Sequence, residues 1–284
     1  MSSSVGAVLV TGCSSGIGQA TAALLARQGH TVYATARQRS SLAGLEAAGC
    51  RTLSLDVTDE DSMRAAVDTV VSETGAVGAL VNNAGYSQSG ALETLALDDV
   101  RRQFETNVFG LLRMCQLVLP SMRQRGQGRI VNVSSMGANF TFPGGGSYHA
   151  TKYAVEALSD ALRFEVAGFG VGVTVVQPGI IRTSFSERAV AEVPKPAAEA
   201  GPYDEFNASV ARATRTVYES GALAKLGGEA EDVAKVIARA ITARRAPVRV
   251  RVTPSAHVLV NQHRLLPTRA WDRLLRSQFP TPHS

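Results

Sequence analysis

Cysteine is scarce in this 284-residue chain: Cys13, Cys50 and Cys115 stand alone, with no paired spacing. Nothing here asks for a disulfide framework, no metal-ligand set is assigned, and the usage fits a reducing cytoplasm. Long apolar runs are missing too. The best stretch, Val108 to Leu119, is broken by Arg113 and Gln116, whereas a membrane span needs about 20 apolar residues. The first four residues are polar and uncharged, unlike a signal peptide, and Val5 onward already reads as a strand. There is no internal repeat and no low-complexity tract. Also lacking is a module in which basic residues interleave with aromatics, so no nucleic-acid partner is expected. The net charge of +5 does not alter that reading. Residues 1–234 carry 19 Lys+Arg against 23 Asp+Glu, while residues 235–284 carry 10 against Asp272 alone. The basicity belongs to the C-terminal tail.

What is present is an alternation. Short apolar runs at 7–10, 31–35, 52–55, 79–82, 129–133 and 171–176 read as strands, with a seventh at 248–252. Helical patterns lie between them, at 18–28, 60–74, 97–125, 148–167 and 229–244. Strands rich in β-branched residues and separated by helices predict an α/β fold. The expected form is a Rossmann-type, doubly wound parallel sheet of about seven strands with helices on both faces. Residues 5–254 make one domain. Within it, 184–228 holds Pro194, Pro196 and Pro202 and is too long for a plain connection; it reads as a substrate-binding lid. Residues 255–284 form a C-terminal extension whose apolar set, including Leu259, Val260, Trp271 and Phe279, is interspersed with arginines.

The run Thr11-Gly12-Cys13-Ser14-Ser15-Gly16-Ile17-Gly18 falls between the first strand and its helix. Glycines there let the backbone turn sharply and approach a pyrophosphate, which then faces the free N–H groups of the helix. No lysine follows the last glycine, so this is not a Walker loop. The second strand ends at Ala36-Arg37, where an acid would hold the ribose 2′-hydroxyl of NAD. An arginine instead suits a 2′-phosphate, with Ser14 in support and Arg39 a weaker candidate, which favours NADP(H) over NAD(H). Asp56, followed by Val57, can hold an adenine amino group or serve as a turn aspartate. Asn82-Asn83-Ala84-Gly85 ends the fourth strand: the amides can brace the sheet edge, and the small pair lets a cofactor pass. Pro178, Gly179 and Thr183 follow the sixth strand, within reach of a nicotinamide. Asn107 interrupts a long helix, where asparagine is a poor helix former, and predicts a bulge or a bound water. Tyr148 and Lys152 share one helix face at i and i+4, so an ammonium can lower the cost of a phenolate. Ser135, 13 residues before the tyrosine, can hydrogen-bond the same substrate oxygen.

As a set, and over about residues 5–254, these motifs resemble the short-chain dehydrogenase/reductase family in its single-domain branch. The resemblance implies Tyr148 as acid/base and Ser135 as the residue orienting the substrate oxygen. It implies Lys152 on the nicotinamide ribose, lowering the tyrosine pKa, and Asn107 holding a water of the proton relay. Ser135 is preferred to Ser134 because its spacing matches the family. T-G-C-S-S-G-I-G followed by Y-A-T-A-R is similar to the branch with 17β-hydroxysteroid and retinol dehydrogenases. That branch implies NADP(H) and a carbonyl or secondary alcohol on a hydrophobic, steroid-, retinoid- or polyketide-like small molecule. A homodimer or homotetramer is implied as well. His149 and Thr151 depart from the small residue and serine usual in the family. Phe142 and Phe185, with Phe140 and Tyr86, are candidates for an apolar substrate wall or for core packing. Two other readings are a non-catalytic NADP(H)-binding sensor or structural protein, and a membrane-surface dehydrogenase held by its basic apolar tail.

Overall fold

Apolar runs without polar alternation need cover on both faces, and in the computed structural model they have it. The structure describes residues 5–194, 201–221, 223–279 and 281–282. Strands β1 (Ala7–Val10), β2 (Val32–Ala36), β3 (Arg51–Ser54), β4 (Val77–Asn82), β5 (Gly128–Val133), β6 (Val171–Pro178) and β7 (Arg249–Val252) form one parallel sheet. Their order is β3-β2-β1-β4-β5-β6-β7, with the reversal between β1 and β4. In β1, Val8 and Val10 point to one face and Leu9 to the other, as the period of two requires. The first face is covered by α1 (Gly16–Arg27) and α8 (Ala230–Thr242), the second by α2 (Glu60–Thr74), α4 (Gly110–Arg125) and α5 (Gly146–Glu165). Both expected layers of helix are there.

Between α3 (Leu97–Phe104) and α4 the chain makes a π-turn over Glu105–Phe109, so the helix expected over 97–125 runs unbroken but carries a π-bulge. Asn107 sits in that turn, where the expected bulge occurs. The insertion at 184–228 is largely helical among the described residues: α6 (Phe185–Ala191) and α7 (Asp204–Glu219) occupy it. Its ends are tied by a two-stranded parallel ribbon, Ile181–Arg182 against Gly228–Glu229. Pro196, with the rest of 195–200 and Ala222, lies outside the described residues.

The C-terminal extension folds as α9 (Pro254–Leu265) and α10 (Thr268–Arg276). Leu259, Val260 and Trp271 are buried in a third cluster with Met136, Phe140 and Ile180. The Trp271 ring lies 5.5 Å from that of Phe140, so the tail buttresses the segment that follows β5. Leu259, Val260 and Trp271 are thereby taken up by the core while Leu265 and Leu266 stay exposed, and no helix among the described residues is long and apolar enough to cross a membrane. Trp271→Ala is expected to lower stability by about 3–5 kcal/mol, measured as a shift in the urea midpoint at constant slope. A change below about 1 kcal/mol would mean that the tail does not support the core.

Candidate active site

At the reversal of strand order, a cleft of about 830 Å³ opens along the carboxyl ends of the strands. Its first end is the glycine loop. Gly12 and Gly16 have φ of +71° and +59°, a region that L side chains rarely adopt. A Cβ on Gly12 would stand 2.8 Å from the Ala84 Cα, and one on Gly18 would stand 2.3 Å from the Gly12 carbonyl oxygen. The loop is therefore pressed against the end of β4, and Gly18 lies beneath it, outside the cleft. Asn83 fixes this contact: its Nδ2 donates to the carbonyls of Thr11 and Gly12, each at 3.0 Å. Thr11 Oγ1 accepts in return from the Asn83 and Ala84 N–H groups. Asn82 instead braces the sheet, donating to Asn132 Oδ1 at 3.0 Å. Ser15 precedes α1 without capping it, so the first-turn N–H groups face the cleft. A diphosphate fits such a cradle.

Ser14, Ile17, Arg37, Asp56 and Val57 line the same end. Arg37 is exposed just beyond β2, whereas Arg39 turns away, donating to Thr52 Oγ1 at 3.0 Å and pairing with Glu46. One Asp56 carboxylate oxygen accepts from both the backbone N–H and the hydroxyl of Thr58, at 2.9 and 2.7 Å. Asp56 is thus a turn aspartate, and it also lines the cleft. Pro178, Gly179 and Thr183 line the cleft as well, Thr183 lying against Gly16 of the glycine loop. A Cβ on Gly179 would lie 2.4 Å from the hydroxyls of Thr253 and Ser255, so only glycine fits there.

The other end gathers Ser135, Tyr148 and Lys152 on one wall. Helix α5 begins at Gly146, which places Tyr148 in its first turn with Lys152 one turn on. Lys152 Nζ donates to the Val133 carbonyl at 2.9 Å and lies 5.7 Å from the Tyr148 ring centre. Ser135 ends the segment after β5, and its Oγ accepts the Gly137 N–H at 3.0 Å. Burial pushes the Tyr148 phenol well above its ordinary range; Tyr218 adds to this and Ser135 works against it. This is opposite to the lowering expected from Lys152: burial of the phenol dominates, and the Lys152 ammonium is turned to the Val133 carbonyl. Burial brings Lys152 itself down to about 8, with Glu156 opposing. The folded chain thus binds this proton less tightly than the unfolded one. Its contribution to stability rises with pH between about 8 and the ordinary lysine value of 10.5.

Asn107 is buried behind this wall. Its Nδ2 donates to the Tyr86 carbonyl at 2.9 Å and to Thr151 Oγ1 at 3.1 Å, while its Oδ1 accepts the Tyr86 N–H at 3.1 Å. The side chain is engaged in holding backbone, and Gly85 separates it from the cleft: a Cβ there would lie 3.0 Å from Asn107 Oδ1. Thr151, on α5, is the side chain that Asn107 reaches. Phe185 lines the cleft with its ring 5.7 Å from that of Tyr148, and Tyr86 lines it as well. Phe142 does not line it. It packs edge-on against Phe140 at 5.0 Å and belongs to the tail cluster.

Among the lining residues of which the sequence shows no sign, Arg188 and Tyr218 are the most consequential. Arg188 of α6 reaches the glycine loop and donates to Ser15 Oγ at 3.2 Å. Tyr218 of α7 lines the cleft near enough to Tyr148 to raise its pKa, its own phenol pushed up to about 12 by burial. Both come from the insertion, whose course no local pattern reveals. Among the described residues no cluster of His, Cys, Asp or Glu could hold a metal ion.

Known proteins agree with this geometry. Residues 6–193 match the family model described as short chain dehydrogenase. A 3-ketodihydrosphingosine reductase from Bacteroides thetaiotaomicron is 37% identical over 253 residues, covering 89% of each chain. A short-chain dehydrogenase from Streptomyces avermitilis superposes with a TM-score of 0.78 at 35% identity, over 95% of this chain and 98% of that one. A short-chain dehydrogenase/reductase from Burkholderia phymatum in complex with NAD gives 0.77 at 26% identity, over 98% and 97%. With a glycine-cradled cleft at the strand reversal and relatives aligned almost end to end, the chain belongs to the short-chain dehydrogenase/reductase family, oxidoreductases that use a nicotinamide cofactor.

Proposed function

We propose that this protein reduces a carbonyl, or oxidises the matching secondary alcohol, on a hydrophobic small molecule with NADP(H), using Tyr148 as acid/base. The observation that carries this reading is one wall holding Ser135, Tyr148 and Lys152, facing a cleft whose other end is the glycine cradle. When bound, the nicotinamide supplies or takes the hydride. In the reductive direction Tyr148 gives its phenolic proton to the substrate oxygen. That donation suits a phenol kept neutral by burial. Ser135 donates a hydrogen bond to the same oxygen, its own acceptor side being occupied by the Gly137 N–H. Lys152, as the ammonium, favours the phenolate left behind, so its buried charge acts when the proton departs. Asn107 holds Tyr86 and Thr151 in place behind this exchange.

The apolar character of the substrate follows from Phe185, Tyr86 and Tyr218 around Tyr148. The Bacteroides relative, named for the reduction of a keto group, supports a ketone. Preference for NADP(H) rests on Arg37 at the rim and on the absence of an acid at Ala36. A panel of hydrophobic ketones and alcohols, assayed with both cofactors, tests the reading; no turnover with any of them would count against it. Reduction should slow as pH rises through about 8, where the Lys152 ammonium is lost. A kcat profile flat well above that value would contradict the role given to Lys152.

The same reading includes a cytoplasmic location, supported by three buried free thiols, and at least a homodimer. Phe109 of the π-turn, with Tyr153 and Phe164 of α5, is exposed at 52%, 45% and 74%. Tyr153 and Phe164 lie three turns apart on one helix face, an apolar stripe of the kind that a second copy covers. Light scattering should give twice the chain mass or more; a monomer would refute this part.

A further inference from the structure

His149 follows Tyr148 in the first turn of α5, but a step of one residue turns it about 100° round the helix and away from the cleft. It is buried, and it is enclosed by the rings of Phe140, Phe142 and Tyr148. Neither substrate nor a second subunit reaches it. Instead the imidazole threads between two glycines. A Cβ on Gly137 would lie 2.6 Å from its Nδ1, and one on Gly145 would lie 2.8 Å from its Cδ2. Nδ1 is 2.6 Å from the Gly137 carbonyl oxygen, which can only accept, so the ring proton is on Nδ1. Nε2 is left as an acceptor for the Phe142 N–H at 3.4 Å. Burial holds the imidazole pKa below its usual value, in keeping with this neutral form.

Gly137 is the residue whose N–H donates to Ser135 Oγ at 3.0 Å. A continuous line therefore runs from the imidazole, through one glycine, to the serine hydroxyl. Because the Gly137 N–H occupies a lone pair of that oxygen, the hydroxyl proton is free to point into the cleft. Resting on the function proposed above, we infer that His149 is a positioning residue: it clamps Gly137 to the helix that carries Tyr148, and so keeps the Ser135 hydroxyl aimed at the substrate oxygen beside the phenol. It fixes the distance between the two groups that must meet one atom.

Two conservative variants separate this role from plain packing. His149→Asn retains an N–H donor near the Nδ1 position and can still reach the Gly137 carbonyl. His149→Gln carries its amide to the Nε2 position and leaves that carbonyl without a donor. Misplacing a reacting group by about 1 Å can cost about 10²-fold. His149→Gln should therefore lose about 10–100-fold in kcat with the NADPH dissociation constant unchanged, and His149→Asn should recover most of that loss. Equal kcat values for the two variants, both binding NADPH normally, would overturn the inference. If His149→Gln fails to fold, a His149→Asn enzyme with the full loss of kcat and normal NADPH binding overturns it too. A cycle with Ser135→Ala supplies the second test. In that background His149→Gln should cost little more, since the group it positions is gone. A full additional loss would mean that His149 does not act through Ser135. Failure of the proposed function itself would show differently, as turnover retained in Tyr148→Phe.

Discussion

Tyr148→Phe is expected to lower carbonyl-dependent NADPH oxidation by about 10³-fold or more while cofactor binding stays nearly intact. The substitution removes one oxygen and keeps the ring, so the contact with Phe185 at 5.7 Å and the fold of the first turn of α5 persist. The proton donor alone is lost. Ser135 can still polarise the substrate oxygen, but its hydroxyl is a far weaker acid than a phenol and has no buried ammonium one turn away. The glycine cradle lies at the other end of the cleft, which is why affinity for NADPH should not move. Stopped-flow turnover and fluorescence titration of NADPH on the same preparation check both halves. Retained turnover would remove Tyr148 from the chemistry. Lost turnover together with lost binding would point to a disturbed cleft.

The second large effect concerns which cofactor binds. Arg37→Ala should weaken NADPH by about 10–100-fold, the worth of a charge-assisted hydrogen bond to a phosphate, and leave NADH almost unchanged. Arg37 stands at the rim just beyond β2, exposed and lining the cleft, whereas Arg39 is engaged with Thr52 and Glu46. No acid stands at Ala36 to hold a ribose hydroxyl, so NADH has little to lose at this position. Equal losses for the two cofactors, read by isothermal titration, would mean that Arg37 does not meet the 2′-phosphate. Arg188 bears on the same measurement. Placed at Ser15 on the glycine loop, it would affect both cofactors alike if it contributes, and so cannot imitate the selective effect.

The sheet was legible because each strand is a short β-branched run bounded by turn residues, and both faces of a parallel sheet demand that pattern. The alternation with helices implied a doubly wound parallel sheet, but the order of its strands came only from how they pair. Asn107 was legible as an irregularity through its poor helix propensity. Its partners were not, since the bonds to Tyr86 and Thr151 depend on how a π-turn and α5 pack. Arg188 and Tyr218 were hidden for a related reason. They enter the cleft only because the insertion folds as two helices over it, and the spacing of an isolated arginine or tyrosine says nothing of that. Phe142 shows the converse: an aromatic close to the motif in sequence is drawn into the tail cluster by Phe140 and Trp271. The direction of the Tyr148 shift was also beyond reach, because spacing reveals a neighbouring lysine but not the burial that raises the phenol.

The central claim is hydride transfer between NADP(H) and a carbonyl at the wall formed by Ser135, Tyr148 and Lys152. Mass spectrometry of the product formed with NADPH deuterated at the transferable C4 position tests it most directly. With a panel of hydrophobic ketones, one deuterium should appear on the new carbinol carbon, and the transfer should vanish in Tyr148→Phe. Deuterium that stays in the cofactor with every ketone offered, or that moves equally well without the Tyr148 hydroxyl, would contradict the account.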